Sequence, residues 1–553
     1  MLNFIIGRNN SGKTEKIRAL IAERASENKK CILIVPEQFS FESERSILEK
    51  IGAQKMLNVD ILSFTRLAFV INEQYGKALN KTIDDGTRKV LMSLSLEALS
   101  GKLEYFKRFS SKPALLSNLL TFVTELKQCA VTPDEIAEIS GKTGNKSLGK
   151  KLSELSLIAA SYDALVSRSF FDDENLLTIA ADMISETDFF DGKAVYFDAF
   201  CGFTKQERNC IKSILPKAEN VFISLCTDRD LSREGVSVFE NVNSEFSHLK
   251  ECAAEQNVGV SSPEILNVKE DGRSPELVYL EKYLCGEEFK PYKEECDNIV
   301  VCAAGNRADE ADFVACEIKK LLRCNPTLRC RNIAVIERTA GTYDKELSES
   351  FKKYGVPMFE DKRRPIGIQP VMVFVKCLLA LCAEGFSTES FMRLLKTGLT
   401  ALSGDEISEL ENYAFLWNID GSKWRRIFTE NPDGLGFDVT EKSQEKLIRL
   451  NDIRKRSVLP VLAFKKDFEE ADGEKKSRLI YEFLIKNGVT ERLREKIEYL
   501  VSSGDTVLCE EQDTVWATLM DMLGKMASAI GETVITAKRY SELFNILLSA
   551  VTL

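Results

Sequence analysis

Gly7-Arg8-Asn9-Asn10-Ser11-Gly12-Lys13-Thr14 satisfies every fixed position of G-x-x-x-x-G-K-[ST]. Its flanks suit that reading. Leu2 to Ile6 is a short apolar run that predicts a buried strand. Thr14 to Glu27 predicts a helix, with Ile17, Leu20 and Ile21 on one face. A strand, a glycine-bearing turn and a helix are the parts of a phosphate-binding loop. The turn aims backbone N–H groups inward, and the helix N-terminus adds partial positive charge. Gly7, Asn10, Ser11, Gly12, Lys13 and Thr14 are the expected nucleotide contacts. Lys13 would reach the β- and γ-phosphates, and the Thr14 hydroxyl would ligate Mg²⁺. An ordinary strand-to-helix turn is the competing reading.

The pattern repeats downstream. Cys31 to Val35 and Val59 to Leu62 read as buried strands. They end in Pro36-Glu37-Gln38-Phe39 and Ser63-Phe64-Thr65-Arg66. From about Thr87 to Glu186 the periodicity is helical, for instance over Leu115 to Lys127 and Leu152 to Val166. Strands return at Ala194 to Phe197 and Asn220 to Leu225. Residues 228–295 are polar and give no clear pattern. A second α/β unit is expected from Ile299, with strands Ile299 to Cys302 and Ile333 to Ile336. Its helices would be Asp309 to Leu322 and Asp344 to Tyr354, with another short strand after Gly355-Val356-Pro357. Beyond Val371 the pattern is helical again. The expected fold class is α/β with parallel sheets, whose ligands sit beyond the carboxyl ends of the strands.

Composition narrows the function. A chain of 553 residues exceeds one core and implies about three or four domains. No apolar run is long enough to span a bilayer, and the start lacks a secretory pattern, so a cytoplasmic location is expected and no membrane partner. The 15 cysteines include no C-x-x-C pair, which reads as reduced thiols rather than a zinc site. The single histidine, His248, in an apparent loop, leaves little room for a His-dependent triad. A net charge of −10 argues against nonspecific coating of nucleic acid, though not against a local basic groove.

A phosphate loop needs an acid on a neighbouring strand to organise Mg²⁺. Val195-Tyr196-Phe197-Asp198 supplies one, with capping of the next turn as the alternative role of Asp198. The long helical stretch between Lys13 and Asp198 is the order of superfamily 1 helicases, which follow it with a second RecA-like domain. Those enzymes place a glutamate directly after the aspartate to activate water. Here that position is Ala199. Nucleotide binding with slow turnover is the expectation, unless Glu207 substitutes weakly as base.

These residues resemble the AddB family, one of the two subunit types of AddAB helicase-nucleases, related to RexB. The matching segments are Gly7 to Thr14, Val35-Pro36-Glu37-Gln38, Leu62 to Leu67 and Phe197 to Thr204. Leu395-Lys396-Thr397-Gly398-Leu399 and Leu410-Glu411-Asn412-Tyr413-Ala414 also match. The resemblance implies two RecA-like P-loop domains with large helical insertions. The first would comprise 1–86 and 187–295, with a helical insertion at 87–186. The second, incomplete, would be 296–380, and a helical domain at 381–553 would be cut by the chain end.

The resemblance also implies ATP and Mg²⁺ as cofactors, single- and double-stranded DNA as substrates, and an AddA-type motor as partner. The role would be break processing for recombinational repair, with scanning of the single strand and poor ATP hydrolysis. The alternatives are an active superfamily 1 translocase and a nonenzymatic scaffold for AddA. The family's nuclease half, with its iron–sulfur cluster, is expected beyond Leu553, so neither nuclease activity nor a cluster is expected here. Gln38, Phe39, Ser63, Phe64 and Arg66 are the expected DNA contacts, the aromatics by stacking and Arg66 on phosphate. Phe39 and Phe64 could equally be core. Arg338 stands where such helicases aim an arginine at the γ-phosphate or DNA, or is a solvated loop residue. Lys142-Lys146-Lys150-Lys151, Lys362-Arg363-Arg364 and Lys423-Arg425-Arg426 read as solvated faces more than as DNA sites, with Trp424 adding interest to the last.

Overall fold

The computed structural model describes residues 1–76, 83–107, 112–169, 173–228, 238–267, 273–284, 290–360, 365–504 and 506–551. Among the described residues, six parallel strands form one sheet. They are β1 (Leu2–Ile6), β2 (Cys31–Ile34), β3 (Val59–Leu62), β4 (Ala194–Phe197), β5 (Asn220–Leu225) and β6 (Glu264–Ile265), in the order β3-β2-β4-β5-β1-β6. The strands alternate between two cores. Phe4, Ile6, Ile32, Ile34, Val195, Phe197, Val221 and Ile223 line one face, against helices Phe64–Tyr75, Asp173–Glu186, Lys205–Ile214 and Glu240–Glu255. Ile5, Cys31, Leu33, Val59, Ile61 and Tyr196 line the other, against helices Lys13–Ser26 and Ser40–Ile51. Burial on both faces explains why these strands read as continuous apolar runs. The two-residue β6, exposed along its length, left no such run and was not legible in the sequence.

The chain clusters into two compact units. One holds Met1–Ser232, Asn241–Leu266 and Arg364–Leu553; the other holds Arg233–Glu240 and Asn267–Arg363. Within the first, helices Asp85–Ala98, Pro113–Gln128 and Lys146–Ser169 share a core with Pro370–Ala383, Glu441–Glu470, Thr506–Ile530 and Ala537–Ser549. Helix Asp173–Glu186, the last of the same helical stretch, packs on the sheet instead.

In the second unit, helices Arg307–Cys324 and Asp344–Tyr354 form around Ile318, Phe351 and Val356. The strands expected at Ile299 to Cys302, at Ile333 to Ile336 and after Pro357 do not form. Those segments have no ladder partner among the described residues, and Val301, Ile336 and Phe359 are each more than 90% exposed. An apolar run signals a buried strand but does not supply the neighbour whose hydrogen bonds make it one. His248, read as a loop residue, is exposed on helix Glu240–Glu255. Among the described residues, no helix is long and apolar enough to cross a membrane.

Asp84 ties the early helices to the late ones. Its carboxylate caps helix Asp85–Ala98 by accepting from the Thr87 N–H at 2.9 Å, and also accepts from Lys525 Nζ at 2.7 Å. Burial pushes the carboxyl up, but the Lys525 and Thr87 hydrogen bonds outweigh it, leaving Asp84 below its usual range. A depressed carboxyl contributes stability that is complete above its unfolded-state value and fades as pH falls through the folded one. Asp84→Asn is therefore expected to flatten the acid limb of the stability-against-pH curve from urea unfolding, with a smaller change near neutral pH than Asp84→Ala, which also loses the cap (about 1 kcal/mol).

Candidate nucleotide site

The loop between β1 and helix Lys13–Ser26 is built from close contacts. The Gly7 N–H donates to the Leu225 carbonyl of β5 at 3.3 Å. A Cβ on Gly7 would lie 2.4 Å from Ser11 Oγ and 2.8 Å from the Leu266 carbonyl oxygen, so only glycine fits. Asn10 (φ 61°) and Gly12 (φ 90°) turn the chain through the left-handed region, where glycine and asparagine are best tolerated. Gly12 offers no side-chain cap to the helix, whose first N–H groups are left for an anion. Ser11 Oγ is buried and has no hydrogen-bond partner. An orphaned hydroxyl inside a glycine-lined cradle fits a phosphate.

Lys13 is turned onto its own loop. Its Nζ donates to the carbonyls of Gly7 at 2.8 Å and Arg8 at 2.7 Å. Burial pushes the ammonium below its ordinary value, against the opposing pull of Cys226, Asp198 and Glu15. Asp198 follows β4, and β5 lies between β4 and β1, so one strand separates the acid from the loop. Asp198 is 5% exposed; its N–H donates to the Ile34 carbonyl and its carboxylate accepts from Ser224 Oγ on β5. Thr14 and Asp198 are oxygen donors of the kind Mg²⁺ takes alongside nucleotide phosphates and water. Among the described residues, no group of three or more His, Cys, Asp and Glu side chains is arranged to hold a metal ion by itself.

Ala199 is exposed and left-handed, with φ 65°. The turn it makes folds Phe200 and Phe203 back onto Phe64 and Phe197, with ring centroids 4.9–6.5 Å apart. Glu207 is engaged locally. Its carboxylate accepts from the Thr204 N–H at 2.7 Å while Thr204 Oγ1 accepts from the Glu207 N–H at 3.2 Å, a reciprocal capping box. Burial pushes the Glu207 carboxyl up against those hydrogen bonds.

Of the five expected DNA contacts, three face solvent. Gln38 and Phe39 lie exposed on a 3₁₀ turn after β2, beside the exposed Phe41. Arg66 is exposed and paired with Glu44 at 3.3 Å. Ser63 and Phe64 do not face solvent, and Phe64 takes the core alternative. Ser63 is buried, its hydroxyl accepting from the Arg66 N–H as the N-cap of helix Phe64–Tyr75. Phe64 is 6% exposed in the aromatic cluster, so its ring is not offered to a base. A serine opening an amphipathic helix was the available signal. Arg338 is exposed in a bend of the second unit. Lys142 pairs with Glu138 and Lys150 with Glu104. Trp424 is fully buried, donating to Thr388 Oγ1, which leaves Arg425 and Arg426 on the surface. Lys362-Arg363-Arg364 lies outside the described residues.

Residues 4–281, just over half of the chain, match the family described as ADDB, N-terminal. The chain belongs to that family. The ADDB N-terminal match takes in nearly all of the sheet, the whole Gly7–Thr14 loop and Asp198. Beyond it, similarity runs along almost the full chain. A protein of Acetivibrio thermocellus, named as the B subunit of an ATP-dependent helicase/deoxyribonuclease, is 29% identical over 99% of this chain and 48% of its own length. Proteins of the same name from Clostridium acetobutylicum and Clostridioides difficile are each 28% identical, over 98% and 99% of this chain and 48% of their own. The chain spans about half the length of the curated relatives it matches.

Sequence reading missed one pair at this site. Arg8, inside the loop of this ADDB N-terminal segment, contacts Asp228, just past β5, through an ion pair of 2.7 Å. The two are far apart in sequence, and only the β1–β5 pairing brings them together. For the aromatic cluster, Phe64→Ala is expected to cost about 3–5 kcal/mol, while the exposed Phe39→Ala stays within about 0.5 kcal/mol of the parent, both read by chemical denaturation.

Proposed function

We propose that this chain is the nucleotide-holding, helicase-like part of the B subunit of an ATP-dependent helicase/deoxyribonuclease. In this reading it binds ATP with Mg²⁺, hydrolyses it slowly, and follows single-stranded DNA during double-strand break processing beside an AddA-type motor. The observation that carries it is the tight Gly7–Thr14 turn around the unpartnered Ser11 hydroxyl, one strand away from Asp198, with alanine at the position that follows. The names of the relatives support the assignment to that subunit.

In this reading the N–H groups of the loop and Lys13 orient the β- and γ-phosphates. Lys13 exchanges its two carbonyl partners for phosphate oxygens. Thr14 and Asp198 would hold Mg²⁺, which would supply charge neutralisation at the phosphates. Ser224 keeps the Asp198 carboxylate in place. Water meets no carboxylate at position 199, and Glu207 is spent on its helix cap. The exposed Gln38 and Phe39, on the 3₁₀ turn after β2, and Arg66, in the first turn of the helix after β3, offer an aromatic and a cation to a single strand. The four-part division into two RecA-like domains with helical insertions belongs to the same proposal.

The test measures a fluorescent ATP analogue with Mg²⁺ and ATP turnover in the same sample, with and without single-stranded DNA. Tight binding with slow turnover is expected. Lys13→Ala is expected to abolish binding. Ala199→Glu is expected to raise turnover about a hundredfold, the low end of what a positioned base contributes. DNA-stimulated turnover at a motor's rate in the parent would overturn the slow-hydrolysis reading. Binding untouched by Lys13→Ala would overturn the site itself.

A further inference from the structure

Arg8 occupies the first variable position of the phosphate loop, and its side chain is largely buried at 18% exposure. Its guanidinium meets the Asp228 carboxylate at 2.7 Å. Asp228 stands just beyond the carboxyl end of β5, the strand lying between the loop strand β1 and the Asp198 strand β4. The carboxylate therefore sits at the sheet edge where the loop, Lys13 and Asp198 converge. Lys13 meanwhile is held by the carbonyls of Gly7 and of Arg8 itself, and the buried hydroxyl of Ser11 has no partner. Both cations of the loop are thus engaged with the protein's own oxygens while a buried polar group lacks one.

We propose that Arg8 is a ligand for the terminal phosphate of a nucleoside triphosphate, and that Asp228 holds its place as an intramolecular anion until the phosphate arrives. This rests on the nucleotide reading above and adds to it a residue that distinguishes triphosphate from diphosphate. The chemistry is exchange of one oxyanion for another. A guanidinium fork donates to carboxylate and to phosphate oxygens with the same planar, two-oxygen geometry. The carboxylate carries one charge and is 42% exposed, so water screens the pair and its hold is modest. A terminal phosphate brings more charge and is anchored through Lys13 and the loop N–H groups, so it wins the exchange. Competition by Asp228 then lowers the apparent affinity for triphosphate, as any occupied ground state does. A diphosphate, held through Lys13 and the loop alone, escapes most of that competition and gains nothing from Arg8.

The experiment is calorimetric titration of the whole chain with Mg·ATP and Mg·ADP, in the parent, Asp228→Asn, Arg8→Gln and the double variant. Each protein is first checked by circular dichroism and thermal unfolding. Asp228→Asn is expected to tighten ATP roughly three- to tenfold and to leave ADP within about twofold, the scale of one partly screened ion pair. Arg8→Gln is expected to weaken ATP and bring the ATP-to-ADP ratio towards one. In the Arg8→Gln background the Asp228→Asn gain should vanish. Arg8→Lys, which keeps charge but loses the fork, provides a second variant if Arg8→Gln folds poorly, and is expected to fall between parent and Arg8→Gln.

Unchanged or weaker ATP binding by Asp228→Asn overturns the proposal and makes the pair a brace for the loop. A gain that persists without Arg8 overturns it too. ATP binding in the parent that no Arg8 variant alters overturns this inference alone. Absence of ATP binding in the parent and in Asp228→Asn overturns the nucleotide reading along with it.

Discussion

The parallel pairing of β1 with β5 is the constraint on which the site depends. Its register runs from Leu2 opposite Val221 to Ile6 opposite Leu225. It ends both strands at one level, so Gly7 and Cys226 leave the sheet side by side. Everything at the carboxyl edge follows from that level. The Gly7 N–H is taken by Leu225, the Lys13 ammonium feels Cys226 and Asp198, and Ser224 reaches across to Asp198 on β4. A slip of one residue would exchange the side chains that β1 presents to the two cores and move Gly7 away from Leu225 and Leu266.

The helical remainder of the first unit is organised differently. It is one core assembled from segments at opposite ends of the chain, with Val90, Leu96, Leu116 and Tyr162 from the early helices meeting Phe374, Phe468, Tyr540 and Leu547 from the late ones. Polar ties cross the same boundary. Arg539 pairs with Glu97 and donates to Ser93 Oγ, as Lys525 does to Asp84. Such ties gain from being partly buried, but the area of apolar contact between early and late helices is the larger stabilising term.

Position 199 illustrates how one backbone geometry serves two ends. A left-handed residue costs an L-amino acid about 1–2 kcal/mol, and the turn it makes buries Phe200 and Phe203 against Phe64 and Phe197. Aromatic packing of that extent is worth more than the strain. The same turn delivers Thr204 and Glu207 to cap the next helix. A carboxylate that closes a capping box is committed to its own helix terminus and is poorly placed to serve chemistry as well.

The amino-acid sequence by itself determined the local chemistry. It marked Gly7 to Thr14 as a glycine-bearing turn between a strand and a helix, placed five of the six strands within a residue of their ends, and put alanine after Asp198. Those are properties of neighbours along the chain, where glycine freedom and apolar periodicity act directly. Tertiary structure decided what depends on a partner. Phe64 and Phe39 share a motif-like setting, yet one is packed and the other exposed, because only Phe64 meets three other rings. The runs at Ile299 and Ile333 carry strand-like composition and find no ladder partner among the described residues, because a ladder needs a second chain segment that their own residues do not specify. Arg8 and Asp228 became a pair only through the sheet, since no local rule links residues brought together by strand order.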